Sequence, residues 1–334
     1  MLTVPTAPAL APPAGPAPLL LRRDGRAMAS PLRLSIAPGG LADEVANTIV
    51  DAGWTILRAT FEVAEAAMSR FRDDSEITRL NRRAPQSARI SRTLARALTA
   101  ADRAHRVTGG RFDPRVVDAL ERIGYLGVPQ GHPAPVSARP ARILDRAGRA
   151  GPVSVGSPVD LGGIGKCLAL RWAASALDAS VVGHSQPALS YLVDAGGDIV
   201  ASGTPDGTAP WLVAIEDPAG GTEPVAVVAI RERGAIATSS IRRLRWEHAG
   251  RTVHHLIDPR TGEPGGDGLA AVTVAGPDPA WAEVWSKALF LEGAAGIAVT
   301  ARARGLAAWW VTSDGLLEMT PTARVRTAWV AGET

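Results

Sequence analysis

The chain is poor in lysine. Of its 36 basic residues only Lys166 and Lys287 are lysines, and arginine supplies all the others. A bias toward Ala, Arg, Gly and Pro accounts for the background. Within it, two lysines inside candidate site motifs mark positions where a compact ammonium serves and a planar guanidinium fork does not; chance placement is the competing reading. Cysteine is almost absent too. Cys167 stands alone, which excludes an intramolecular disulfide and argues against a cysteine-based zinc site. No apolar run approaches the roughly 18 residues of a membrane span, so no membrane insertion is expected. The first 30 residues lack a basic segment followed by a long apolar one, and lack a cysteine to carry a lipid. A cytoplasmic protein is expected on that ground. The net charge is only +3, and the Arg-Arg pairs have no interleaved aromatics, which argues against nucleic acid as a partner.

What is present fits a globular protein. A length of 334 residues with 46% apolar content allows one large domain or two modest ones with ample core. Residues 1–30 read as a flexible, Pro- and Ala-rich arm, and 31–334 as the folded domain. Leu32–Ala37 reads as a short strand. Leu41 to about Phe71 carries helical periodicity, with Gly53 a candidate break. Further helices are expected over Ser91–Val107, with Ser91 as N-cap, and over Pro114–Ile123. A Pro/Gly-rich connection covers Gly127–Gly151. Short β-type runs follow at Tyr191–Asp194, Trp211–Glu216, Val225–Ile230, Ala235–Thr238, Leu244–Glu247, Thr252–Ile257 and Ala270–Val274. Helices over about Pro279–Leu291 and Gly293–Ala303 precede the closing strands Ala307–Thr312 and Arg324–Val330. No repeat of fixed period is visible. Runs of strands with grouped helices indicate an α+β fold with a mixed or largely antiparallel sheet.

Two stretches carry the chemistry. Arg251-Thr-Val-His-His-Leu-Ile-Asp-Pro-Arg-Thr-Gly-Glu-Pro264 ends a β-type run on two histidines and a carboxylate, then turns through Pro259, Thr261, Gly262 and Pro264. Such a layout sets polar side chains at a strand mouth; solvated histidines beside a turn are the bland alternative. Val159-Asp-Leu-Gly-Gly-Ile-Gly-Lys-Cys-Leu-Ala-Leu170 places glycines at a helix start. There, backbone N–H groups and the helix dipole favour an anion. The spacing fits neither a Walker A loop nor a G-x-G-x-x-G fingerprint.

With Ser69-Arg-Phe-Arg-Asp-Asp-Ser-Glu-Ile-Thr-Arg-Leu-Asn81, Thr108-Gly-Gly-Arg-Phe-Asp-Pro114, Leu192-Val-Asp-Ala-Gly-Gly-Asp-Ile199 and Ala237-Thr-Ser-Ser240, in this order, these stretches resemble the ApbE-type family, the FAD:protein FMN transferases. The likeness runs from about Arg33 to about Asp314. It implies a single α+β domain of the thymidylate-synthase-associated type, with FAD and Mg²⁺ as the family's ligands. The implied reaction is protein flavinylation: a Thr or Ser hydroxyl of an acceptor flavoprotein attacks the phosphorus on the FMN side of FAD, and AMP leaves. Residue by residue, it implies that Phe71 lies against the flavin ring and that Arg111, Phe112 and Asp113 form a flavin-contacting segment. Asp160 would bind FAD, Gly163 would offer a carbonyl near the metal, and Lys166 would meet the cofactor. Thr238 and Ser239 would lie near the phosphates. His255 and Asp258 would be the catalytic polar pair, with Leu256 against flavin or adenine. The residue-level alternatives are that Phe71 and Phe112 are core, that Asp113-Pro114 is only a helix start and that Gly196-Gly197 is only a turn.

The chain departs from the family pattern in two places. No Met-Gly-Thr stands on the first strand; Ala37-Pro-Gly-Gly40 is the nearest stretch. In Ala282-Glu-Val-Trp-Ser-Lys-Ala288, Glu283 replaces the family's metal-binding Asp and Lys287 its Thr. At i, i+4 the two share a helix face. One reading is an ordinary surface pair. The other is that the Lys287 ammonium occupies part of the metal space, since lysine offers a hard cation no oxygen. Glu283 is expected in catalysis or metal binding, with Mg²⁺ use questionable. The alternatives to transfer are a transfer-inactive FAD-binding protein of the same fold and an FAD pyrophosphatase releasing FMN and AMP.

Overall fold

The structure, a computed structural model, describes residues 19–84, 86–127, 151–180 and 189–332. The expected connection Gly127–Gly151 falls almost wholly outside them. An eight-stranded sheet organises the chain in the order Leu21–Ala27, Ser30–Ala37, Ser190–Ala195, Asp198–Ser202, Gly234–Ser240, Leu269–Gly276, Ala307–Thr312 and Leu317–Met319. Every neighbouring pair is antiparallel. The α+β expectation holds, with strands close to the ranges read from periodicity.

One boundary moves. The stretch expected to be an arm contains the edge strand Leu21–Ala27, a hairpin partner of Ser30–Ala37 with Leu21 opposite Ile36. Its register is set by side chains that alternate in and out, and its Arg23 reaches helix Asp43–Met68 through Asp51, Nε to Oδ1 2.7 Å. Composition hid the strand because four of its seven residues, Leu-Arg-Arg-Asp-Gly-Arg-Ala, are charged, as suits an exposed edge. Gly53 does not break its helix, which runs unbroken from Asp43 to Met68. Gly53 is instead a contact point: a Cβ there would lie 3.3 Å from side-chain carbons of both Leu34 and Leu177, so its absence lets the helix sit close to sheet and neighbour.

Helices Asp43–Met68, Gly165–Ser180 and Arg92–Val107 cover one face of the sheet around Leu34, Leu57, Phe61, Leu168, Leu177 and Tyr191. Ser91 caps the last of them, its Oγ accepting from Leu94 N–H at 3.2 Å. The other face packs on a small sheet of Thr327–Val330, Ala226–Ile230 and Trp211–Ile215, through Trp211, Val213, Val228 and Trp309. Helix Pro279–Phe290 begins on Asp278, whose Oδ1 accepts from Ala280 and Trp281 N–H, and it carries Glu283 and Lys287. The expected helix Pro114–Ile123 shortens to Val117–Arg122. No described helix is long and apolar enough to cross a membrane.

Candidate active site

The segment before Asp160 is held from a distance. Ser75 caps helix Glu76–Arg83, its Oγ accepting from Thr78 N–H. On that helix the buried amide of Asn81 donates to Val159 O at 2.9 Å and accepts from Val159 N–H at 3.0 Å. This double bond to the backbone fixes the approach to Asp160. Asp160 Oδ1 accepts from Gly162 N–H, and its Oδ2 takes Arg70 Nε at 2.5 Å. The chain then enters helix Gly165–Ser180, whose first turn faces a cavity of about 740 Å³. That size lies within the range of small-molecule sites.

The cavity wall unites residues from every stretch singled out above, including Phe71, Arg111, Asp160, Thr238 and His255. Phe71 is 52% exposed and is not core. It meets the Tyr125 ring edge-on at 5.6 Å, and Tyr125 stacks on Trp246 at 5.6 Å and tilts against His255 at 6.3 Å. Phe112 is almost wholly buried, yet it too is part of the cavity wall. Arg111 is held by Glu292 through two bonds of 2.9 and 2.7 Å. Asp113 is committed to Arg115, Nε to Oδ1 2.8 Å and Nη2 to Oδ2 2.7 Å, so its carboxylate braces the wall more than it offers itself to a ligand.

The two adjacent histidines part because strand Arg251–His254 ends on the first of them and the chain bends at the second. His254 turns to Phe290, and burial lowers its pKa. His255 turns to the cavity with Nδ1 3.5 Å from Leu244 O. Burial first, then the Lys287 ammonium, lower its pKa to about 3, so it is neutral in the free protein.

Some expected site residues lie elsewhere. Leu256 is buried in the cluster of Leu269, Leu289, Phe290 and Trp310, so it packs as core and not on a flavin or adenine. Asp258 is not part of the cavity wall and does not pair with His255. It is buried in its turn, gripped by Arg260 with Nη2 at 2.5 Å from Oδ2 and the Arg260 N–H at 2.9 Å from Oδ1. Burial alone would raise its pKa, but Arg260 outweighs burial and holds it low. Thr238 and Ser239, by contrast, both line the cavity, Thr238 exposed and Ser239 buried with its Oγ 2.9 Å from Ser286 Oγ, which ties strand to helix.

Lys166 lies at the cavity and gives its ammonium to Asp198, Nζ to Oδ2 2.5 Å. Burial works against that charge, but Asp198 and then Glu283 outweigh it and raise the pKa. Glu283 is buried, with Oε2 accepting from Cys167 N–H at 3.2 Å. Burial, then the Asp198 charge, push it up to about 7, against the pull of Lys166 and Lys287. No ion-pair contact joins Glu283 to Lys287 among the described residues, so the surface pair drawn from their i, i+4 spacing does not form. The Lys287 stem instead crosses Gly163: a Cβ on Gly163 would lie 2.6 Å from Lys287 Cε.

Sequence reasoning assigned no role to Arg70, Tyr125, Trp246 or Asp198. Arg70 and Asp198 sit inside stretches that were singled out. Tyr125 and Trp246 carried no local signal, because only folding brings them together.

Among the described residues, Cys167, Asp198 and Glu283 are the one cluster with metal-ligand spacing, their donor atoms within 4.8 Å of one another. The set does not suit Mg²⁺, which takes oxygen ligands. The thiol of Cys167 is pushed well up by burial, Asp198 is taken by Lys166, and Glu283 titrates near neutrality. Gly163, the other expected contributor, is overlain by the Lys287 side chain.

The sequence profile of the ApbE family matches residues 34–310. The FAD:protein FMN transferase of Haemophilus influenzae is 30% identical over 254 residues, 71% of this chain and 71% of that protein. That of Salmonella typhimurium is 28% identical over 279 residues, 78% of this chain and 77% of that protein. Among solved structures, the ApbE protein of Thermotoga maritima superposes with a TM-score of 0.76 at 23% identity, over 92% of this chain and 99% of that one. Apo Pseudomonas stutzeri flavinyl transferase ApbE gives 0.74 at 24% identity, over 93% and 98%. These likenesses show the fold.

Proposed function

The chain belongs to the ApbE family, and from that premise we propose that it is an FAD:protein FMN transferase. FAD is the donor and a Thr or Ser hydroxyl of a partner flavoprotein the acceptor. The observation that carries this reading is that an aromatic wall, a helix N-terminus and two lysines converge on one cavity. Phe71 and Tyr125 suit an isoalloxazine or adenine ring. The first turn of helix Gly165–Ser180 suits a pyrophosphate.

In the reaction, the acceptor oxygen bonds to the FMN phosphorus and the bond to the AMP phosphate breaks. The hydroxyl proton must leave, and AMP departs with the displaced oxygen. Such transfers depend mostly on positioning and on charge placed where charge develops. His255 is the proton acceptor in this reading. In the tautomer that donates Nδ1–H toward Leu244 O, its other nitrogen carries the lone pair. A pKa of about 3 makes the free imidazole a weak base, but a bound pyrophosphate adds negative charge beside it and raises that value. Glu283 and Asp198 hold Lys166 in place. Asp258 orders the turn after His255 and acts through it.

Incubation with FAD and a candidate acceptor tests the reading. AMP release with an FMN-sized mass increase on the acceptor is expected. AMP without that mass would mean FAD hydrolysis, and neither product with retained FAD binding would mean a binding protein. Cytoplasmic residence belongs to the proposal, supported by cysteine usage that asks nothing of an oxidising compartment. N-terminal sequencing of the native protein checks it.

A further inference from the structure

Every cation of the cavity wall except one is spoken for by a carboxylate. Arg111 is paired with Glu292, Arg242 and Arg243 with Glu216, and Lys166 with Asp198. Among the described residues, the Lys287 ammonium has neither hydrogen bond nor ion pair; its backbone carbonyl accepts from Leu291 N–H at 3.1 Å. Its stem is fixed all the same, since Cε and Cδ lie over Gly163 at the start of helix Gly165–Ser180. The ammonium is therefore carried to the N-terminal end of that helix, where it adds to the positive end of the helix dipole. It also lies near enough to His255 to oppose a charge there. A fixed cation without a carboxylate partner, on a cavity wall and beside a helix N-terminus, suits an anion.

We propose that Lys287 is the phosphate-binding cation of this cavity, filling by itself the charge-neutralising role a divalent metal would otherwise take, so that FAD binds without Mg²⁺. The inference rests on the reading of the cavity as an FAD site. The surrounding donors agree with it. Cys167, Asp198 and Glu283 are close together, but the carboxylates face two ammonium groups, Lys166 and Lys287, whose charges keep a second cation away. Lysine suits the task because its compact charge passes over a glycine, where a guanidinium fork would need planar space. The scarcity of lysine in the rest of the chain fits such a requirement.

Calorimetric titration of the full chain with FAD, in EDTA and in millimolar Mg²⁺, decides the matter without reference to turnover. The expected dissociation constants agree within about twofold. Lys287→Met keeps the length of the stem and removes the charge. It is expected to weaken FAD and inorganic pyrophosphate by about tenfold or more, while riboflavin, which carries no phosphate, is unaffected. Lys287→Thr exchanges the ammonium for an oxygen, and its FAD affinity is expected to become Mg²⁺-dependent. Wild-type binding that appears only with Mg²⁺ overturns the inference and leaves the FAD site standing. Unchanged pyrophosphate affinity in Lys287→Met also overturns it. Failure to bind FAD in either buffer removes the FAD site and the inference with it. The wild-type comparison stands whether or not a variant folds.

Discussion

Arg70 and Asp160, 90 residues apart in the chain, form a buried ion pair with Nε 2.5 Å from Oδ2. Their side chains are 1% and 10% exposed. The same guanidinium donates Nη2–H to Tyr125 O at 2.8 Å and lies under the rings of Phe71 and Tyr125, 4.6 and 5.1 Å from their centroids. One side chain thus aligns the carboxylate at the helix start with the aromatic wall. Arg70→Met strands a buried carboxylate and is expected to cost about 3–5 kcal/mol of stability in urea denaturation. Adding Asp160→Asn should recover part of that loss. A single variant as stable as the parent would show that the pair does not hold the site.

Asp160→Ala is expected to weaken FAD binding by about 1.5–3 kcal/mol, the worth of a hydrogen bond to a charged group. The loss includes the helix start that Asp160 organises through Gly162 N–H. Equal FAD affinity for parent and variant, by fluorescence titration, would remove Asp160 from the site.

Asn81 acts on the site from behind. Asn81→Ala leaves the N–H and C=O of Val159 buried without partners, at about 1–3 kcal/mol each. A stability loss of about 2–6 kcal/mol is expected from those two groups. Denaturant midpoints check it, and a change below 1 kcal/mol would mean that water replaces the amide.

His255 makes the protein acid-sensitive. Its folded pKa of about 3 lies below the ordinary value of 6.5. Between those values the unfolded chain binds a proton that the folded chain refuses, so acid favours unfolding. The stability from neutral His255 is whole above about pH 6.5 and is lost as pH falls toward 3. His255→Gln stays neutral throughout and is expected to flatten the stability curve in that window. Parallel curves for the two proteins would show that other groups set the acid limit.

The edge strand Leu21–Ala27 gives a further expectation. Deleting residues 1–29 removes the partner of Ser30–Ala37 and the Arg23–Asp51 contact. A melting temperature several degrees below that of the full chain is expected. An unchanged value would return residues 21–29 to the arm that composition suggested.

Sequence alone determined the local terms of this protein. Periodicity placed most helices and strands, because a 3.6-residue or two-residue alternation is a property of the segment itself. Hydroxyl caps such as Ser91 were legible for the same reason. The stretches around Phe71, Asp160 and His255 marked the cavity wall, since polar residues beside glycines and turns state their chemistry in place. What only the tertiary structure decided is which charge meets which. Asp258 matched a catalytic pattern, yet the folded turn buries it with Arg260, two residues on, and leaves it off the cavity wall. Glu283 and Lys287 have the spacing of a surface pair, yet the helix buries the first against Cys167 and lays the second over Gly163. Arg70 finds Asp160, and Tyr125 finds Trp246, only across long separations in the chain. Pairing energies depend on distance and burial in three dimensions, and neither is written in the spacing of residues along the chain.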